Sequence, residues 1–201
     1  GQYNLNNDKS DWADVTGMKP VKAADGTQVD WECPIALEFL NNSYALGKFQ
    51  LEGVTDAEVE SELTAGFDDA LEFNFPKDVY WSEAKAAKKG GTTPSEKQKE
   101  AIKRFWTWIR DCVPAGADMT CKDLSTWKSD KFKNEASQYL DVPFTLTYYL
   151  VTDYGALVDQ RVKNMIARTW DGLIWYFTYY DGDTALLLRN DCFLAYLYTL
   201  S

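Results

Sequence analysis

Four oxygen-bearing side chains between residues 158 and 183 have the types and the spacing of a metal and phosphate site. Asp159 and Asn164 are five positions apart, and Asp181 and Asp183 follow at alternate positions around a glycine. Carboxylate and amide oxygens suit Mg²⁺, which proteins usually bind together with the phosphates of a substrate. Two neighbouring carboxylates repel each other without a cation, which favours a metal at the second pair. This set predicts phosphate chemistry with bound Mg²⁺ or Mn²⁺.

A β-hairpin and a helix are the elements that must position these residues. Met165–Thr169 and residues 173–178 are apolar, β-favouring runs joined by Trp-Asp-Gly at 170–172. Asp-Gly is a strong hairpin signal, because it tolerates the positive φ of a tight turn. The hairpin has Asn164 at its entrance and Asp181 at its exit, so we expect both at one end. Residues 144–154 are apolar nearly all round and predict a buried central helix that leads the chain into Asp159.

The order of these residues resembles the catalytic segment of protein kinases, in which D-x-x-x-x-N, a β-hairpin and a metal-binding Asp follow one another. This chain has D-Q-R-V-K-N at 159–164 and W-Y-F-T-Y-Y-D-G-D at 175–183. The D-x-D after an aromatic-rich strand, in place of D-F-G, is similar to the CotH family of spore-coat-type kinases. Related domains of this kind occur in bacterial and phage structural proteins.

Two further stretches are similar to the same family. Residues 127–142, W-K-S-D-K-F-K-N-E-A-S-Q-Y-L-D-V, resemble its helix before the catalytic segment. Residues 35–47, I-A-L-E-F-L-N-N-S-Y-A-L-G, resemble its F-L-N-G-x-Y-x-G hairpin. Over about residues 30–190, the resemblance implies an α+β fold with a protein-kinase-like core. That fold is mainly the helical C-terminal lobe with a catalytic-loop hairpin, and its β-rich N-terminal part is reduced.

The resemblance implies ATP- and Mg²⁺-dependent phosphoryl transfer to Ser or Thr of a surface or virion protein. Asp159 is then the catalytic residue, which accepts or orients the proton of the hydroxyl. Asn164, Asp181 and Asp183 are the expected metal ligands, and Asn164 also belongs to the nucleotide site. Taken alone, Asp159 and Asn164 are more typical of a loop residue and a turn residue, and it is their order with the hairpin and the D-x-D that favours a site. The Asp pair is also compatible with a turn at a strand end.

Two basic residues lie inside the same segment. Arg161 and Lys163 either neutralise phosphate at the nucleotide site or are solvated charges, and the sequence leaves both interpretations open.

The N-terminal part departs from the kinase pattern. Residues 1–33 contain neither G-x-G-x-x-G nor V-A-I-K, and Leu-Val replaces the usual His-Arg at 157–158. We therefore expect a partial or minimal form of such a domain. Residues 1–76 would be an incomplete β-rich lobe, 77–93 a linker or loop rich in Lys, Ala and Gly, and 94–201 the helical catalytic-type lobe. A kinase-like structural or assembly module without transfer activity is the main alternative, and a hydrolase using Asp181 and Asp183 is a weaker one.

Composition restricts the partners. The apolar fraction of 45% and the aromatic fraction of 15% indicate a globular protein, and a net charge of −10 argues against a nucleic-acid-binding surface. No apolar run is long enough to span a membrane, and no signal peptide is evident. The resemblance to the CotH family implies as partners a protein substrate or neighbouring structural subunits, at a virion or at a cell or spore surface. The chain has no histidine, which removes His-dependent triads and makes zinc improbable.

Local patterns predict the remaining elements. Residues 34–40 and 44–51 read as a hairpin, 55–65 as a helix, 70–75 as a half-buried strand, and 127–140 as an amphipathic helix. A helix with a core-facing stripe is expected after Thr-Pro at 93–94, with the proline in its first turn. Cys112 and Cys121 could form a disulfide, although buried free thiols are the favoured interpretation.

Overall fold

The fold is α+β, as expected. The computed structural model describes residues 34–40, 67–68, 70–118, 122–157, 160 and 164–179. Their elements, in chain order, are β1 (Ile35–Phe39), β2 (Leu71–Phe75), α1 (Glu83–Lys89), α2 (Glu96–Asp111), α3 (Asp130–Glu135), α4 (Val142–Tyr154), β3 (Met165–Thr169) and β4 (Tyr176–Tyr179). Among these described residues, no helix has the length and apolar character needed to cross a membrane.

One antiparallel sheet with the strand order β2-β1-β3-β4 organises the described chain. β1 pairs with β2 along one edge and with β3 along the other. The expected hairpin between residues 34–40 and 44–51 is therefore wrong for β1, because both of its hydrogen-bonding edges are occupied. Residues 44–51 and 55–65 themselves lie outside the described residues. β1 and β2 precede residue 77, and β3 and β4 follow residue 94. All four strands belong to the same sheet.

The main core lies between one face of this sheet and α2. Leu37 and Phe73 come from the sheet, Ile102 and Phe105 come from α2, and all four are buried. Phe105 stacks on the fully buried Trp175, with ring centroids 4.8 Å apart. Burying large aromatic side chains supplies much of the stabilisation of a core of this kind.

The start of α2 is defined by a capping box. The Ser95 hydroxyl accepts a hydrogen bond from the Gln98 backbone N–H at 3.2 Å, and the Gln98 side-chain oxygen accepts one from the Ser95 N–H at 3.0 Å. Both bonds satisfy donors that the first helical turn leaves open. The helix and its core-facing stripe are confirmed, but Pro94 precedes the N-cap and is not in the first turn.

The expectation of a linker or loop at residues 77–93 is wrong for Glu83–Lys89, which form a helix. This region contains α1, which begins after the N-cap Ser82 and ends at Gly90 with φ of 72°. Backbone hydrogen bonds between Tyr80 and Thr92, and between Thr92 and Asp78, fold the region back on itself. Lys, Ala and Gly enrichment did not reveal this packing, because short helices depend on tertiary contacts more than on composition.

The predicted helix at 127–140 is broken into shorter pieces. A 3₁₀ turn spans Leu124–Trp127, α3 follows, and a second 3₁₀ turn spans Ala136–Gln138. Phe132 is 46% exposed, yet its ring stacks on Trp108 with centroids 5.5 Å apart. This segment therefore makes an aromatic contact with the core without forming a continuous helix.

The helix α4 is formed as predicted but is not buried. It begins after Asp141, whose carboxylate accepts the Phe144 N–H at 2.9 Å. Of its own residues, only Thr152 is buried. Phe144 packs edge-on against Tyr176 of β4, whereas residues on the other side of the helix are exposed. An apolar composition all round therefore did not mean a central position.

The thiol of Cys112 is free and buried, as favoured by the sequence. Burial raises its pKa to about 11. Cys121 lies outside the described residues.

Candidate functional site at one end of the sheet

Asn164 lies at the end of the sheet where the predicted site residues are expected to meet. It precedes β3 with a φ of 52°, in the left-handed region that Asn tolerates better than most residues. Its backbone N–H donates to the Phe39 carbonyl oxygen at 3.1 Å. The start of β3 is therefore anchored on the end of β1, and the predicted position of Asn164 at the entrance of the hairpin is confirmed.

The register of the hairpin brings the end of β4 to the same place. Met165 pairs with Tyr179, and Arg168 pairs with Tyr176. The strand β4 consequently ends beside the residue that follows Asn164. Asp181 and Asp183 lie outside the described residues, two and four positions beyond that end.

The connection between the strands is longer than a two-residue turn. Residues 170–175 join β3 to β4, and Gly172 has the positive φ of 72° expected for the Asp-Gly pair. The Asp171 carboxylate accepts the backbone N–H groups of Leu173 and Ile174 at 2.8 and 2.9 Å. Asp171 is therefore a turn-stabilising residue at the opposite end of the hairpin from Asn164.

Gln160 lies in the segment of chain that connects α4 to Asn164. It is fully buried, and its backbone N–H donates to the Leu157 carbonyl at 3.2 Å. The Tyr148 hydroxyl of α4 donates to the Gln160 carbonyl oxygen. The residue immediately after the predicted catalytic position is thus held against α4. Asp159 itself lies outside the described residues.

The two predicted basic residues, Arg161 and Lys163, also lie outside the described residues. Asn164 is accordingly the one predicted site residue whose place the structure describes.

A row of polar side chains crosses the sheet on the face opposite the main core, and the sequence reasoning missed it. The Asn74 amide of β2 donates to the Glu38 carboxylate of β1 at 2.9 Å. The Arg168 guanidinium of β3 donates to the Thr178 hydroxyl of β4 at 2.8 Å. In the β1–β3 pair, Glu38 lies opposite Ile166 and Arg168 lies opposite Ala36. Glu38 and Arg168 are therefore diagonal neighbours whose side chains project from the same face of the sheet.

Both charged members of this row are buried, at 7% exposure for Glu38 and 5% for Arg168. Burial lowers the pKa of Arg168 to about 10, so the guanidinium stays charged at neutral pH. Buried charges require compensating hydrogen bonds, which makes this row sensitive to substitution. The available sequence signal was a charged residue in an otherwise apolar β-run, in I-A-L-E-F and in M-I-A-R-T.

Among the described residues, no three His, Cys, Asp or Glu side chains are grouped as a metal site would require. The predicted carboxylate ligands are not among those residues.

Comparisons of the chain with protein-family models, with curated proteins and with solved structures gave no match.

Proposed function

We propose that this chain carries the catalytic segment of a CotH-like protein kinase, which transfers the γ-phosphoryl group of ATP to Ser or Thr of a surface or virion protein. The observation that supports this most directly is the pairing of Met165 with Tyr179. It brings the end of β4 beside Asn164, and two further residues of chain span at most about 7 Å. The chain therefore leaves β4, two residues before Asp181, beside the start of β3 at Asn164.

The proposed donor set fits a hard cation. An Asn amide and two Asp carboxylates supply oxygen ligands only, which suits Mg²⁺ or Mn²⁺ better than zinc. Asn164 itself is partly buried at the sheet end. When bound, the metal supplies positive charge that offsets the charge of the nucleotide phosphates.

Asp159 has the role of general base in this proposal. It takes the proton of the Ser or Thr hydroxyl as that oxygen attacks the γ-phosphorus, while the bond to the β,γ-bridging oxygen breaks and ADP leaves. Asp159 is bonded to Gln160, which α4 holds through Tyr148.

Arg161 and Lys163 have the role of phosphate-binding residues. They lie between two anchored residues, Gln160 and Asn164, in a chain whose net charge is −10. A local positive site is needed there, because an acidic surface would otherwise repel ATP.

Ligand-induced stabilisation tests the metal site. Mg²⁺ with ATP is expected to raise the melting temperature, and about 100-fold excess over the Kd corresponds to about 2.7 kcal/mol. Asp183→Asn should abolish this increase. Glu83→Gln, on an exposed position of α1, removes the same charge away from the sheet end and should leave the increase intact.

Transfer of labelled γ-phosphate to a protein tests the chemistry. Asp159→Asn should lower the rate by roughly 10²–10⁴-fold while keeping the stabilisation by Mg²⁺ and ATP, because Asn cannot accept the proton. Transfer that survives this change refutes the role of Asp159. A chain with neither stabilisation nor transfer overturns the kinase proposal and leaves the inactive structural module.

A further inference from the structure

One region of this acidic chain is basic. Residues 77–104 contain eight basic and four acidic side chains, a net charge of +4, whereas the whole chain has −10. The remaining 173 residues therefore carry a net charge of −14. Residues 111–135 also hold several lysines, but their four basic side chains are outnumbered by five acidic ones, so lysine content alone does not make a region basic.

Three lysines of the basic region have no ion-pair partner among the described residues. Lys77, Lys88 and Lys89 are exposed, whereas Lys99 of the same region pairs with Glu96 at 2.8 Å. An exposed ammonium group without a local counter-charge keeps its attraction for an anion outside the chain. These three lysines are called the basic surface.

A fold-back of the backbone brings the basic surface together. The Thr92 N–H donates to the Asp78 carbonyl oxygen at 2.9 Å, where Lys77 precedes Asp78 and Lys89 lies three residues before Thr92. A Cβ at Gly91 would lie 2.2 Å from the Asp78 carbonyl oxygen, so this close contact requires glycine. The two segments are thus held together without a partner, which limits the ordering that binding would require.

The helix dipole explains only part of this pattern. Lys88 and Lys89 lie in the last turn of α1, where positive charge stabilises the C-terminus of a helix. Lys77 lies outside any helix, in the turn after β2. Stabilisation of α1 therefore does not account for the third lysine, and this favours an external anion as the partner that all three share.

The surroundings of the basic surface indicate which anion fits. Nucleic acid needs a wide basic footprint, and the net charge of −10 would repel it. A membrane surface is favoured by large apolar side chains beside the lysines, but in the described part of the chain the exposed ones begin at Leu124. An acidic polypeptide segment needs neither feature, because its carboxylates pair with a few lysines.

We propose that the basic surface binds an acidic segment of a partner protein. Carboxylates of that segment pair with Lys77, Lys88 and Lys89, and such exposed pairs supply orientation and fast encounter more than high affinity. The interaction does not depend on the proposed phosphoryl transfer.

Fluorescence anisotropy with a fluorescein-labelled oligoglutamate peptide tests this interaction in the full chain. Lys88→Glu combined with Lys89→Glu removes two attractions and adds two repulsions, so the Kd should rise about tenfold. Lys77→Glu should raise it about threefold, and this change leaves the helix dipole of α1 untouched. Binding should weaken as NaCl rises above about 0.1 M, where charges more than about 10 Å apart are screened.

Lys122→Glu combined with Lys133→Glu is the matched control. Both are exposed lysines of residues 111–135, and the double change alters the net charge by the same amount. The Kd should change less than about twofold. Equal weakening by the two double variants would reflect total charge and overturns the proposal, as does a parent chain that does not bind the peptide. If melting temperatures show that the Lys88 and Lys89 variant is unfolded, Lys77→Glu decides the outcome, and an unchanged Kd there overturns the proposal.

Two other anions complete the test. A duplex DNA oligonucleotide and vesicles containing phosphatidylserine are titrated against the same chain. Weaker binding of both than of oligoglutamate supports the proposal. Tighter binding of either one, weakened by Lys77→Glu, overturns it in favour of nucleic acid or a membrane as the partner.

Discussion

Substitution of Asn164 separates its backbone role from its proposed role as a ligand. With φ of 52°, the residue occupies a conformation that is easy for Gly, tolerated by Asn and strained for Ala. Asn164→Gly and Asn164→Ala both remove the amide oxygen, but only the alanine adds strain. The two variants should therefore differ in stability and agree in metal response.

The expected size follows from the left-handed backbone. Placing Ala in this region costs about 1 kcal/mol relative to Gly, which corresponds to about 2–4 °C in the melting temperature for a chain of this size. Asp78, with φ of 57°, provides a matched control in the turn after β2. Asp78→Gly and Asp78→Ala should show the same difference in stability without any change in metal response.

Thermal denaturation with and without Mg²⁺ and ATP measures both effects. We expect stabilisation by the ligands to be lost in both Asn164 variants and kept in both Asp78 variants. Full stabilisation of Asn164→Gly would refute the ligand role. An Asn164→Ala variant as stable as Asn164→Gly would refute the argument from backbone strain.

Three further predictions concern stability. Ser95→Ala removes the cap of α2 and should cost about 1 kcal/mol in urea denaturation; an unchanged midpoint would contradict the capping box. Phe105→Ala should cost about 3–5 kcal/mol, and Phe132→Ala, at a ring that is 46% exposed, less than half of that; equal losses would be inconsistent with the core as described. Burial raises the pKa of Cys112 from 9.0 to about 11, so its contribution is present below about pH 9 and is lost as pH rises towards 11. The stability difference between the parent chain and Cys112→Ala should shrink over that range under reducing conditions, and a constant difference would argue against a protonated buried thiol.

Much of the local structure could be predicted because its signals are short-range. Alternating apolar residues identified β2, β-favouring runs identified β1 and β3, and a stripe at helical spacing identified α2. The positive φ of Gly172 followed from the Asp-Gly pair. Each of these depends on neighbouring residues in the chain, whose periodicity the sequence displays directly.

For the candidate site, the sequence could predict only which residues belong to it and the order in which they occur along the chain. The order of the segments predicted Asn164 at the hairpin entrance, and the structure confirms that position. The ligand and catalytic roles of Asp159, Asp181 and Asp183 remain predictions, since these residues lie outside the described part of the chain. The buried row containing Glu38 was missed, because a charged residue in a strand is ordinarily assigned to the solvent face.

By itself, the sequence determined that the segments of β1, β2 and β3 are strands, that those of α2 and α4 are helices, and where the main turn of the hairpin lies. Tertiary structure decided that β1 is an inner strand between β2 and β3, that residues 77–93 contain α1, and that α4 exposes an apolar side. The physical reason is the same for all three. Periodicity shows which face of a segment is apolar, but the free energy of packing depends on the partner that covers this face, and that partner comes from distant parts of the chain.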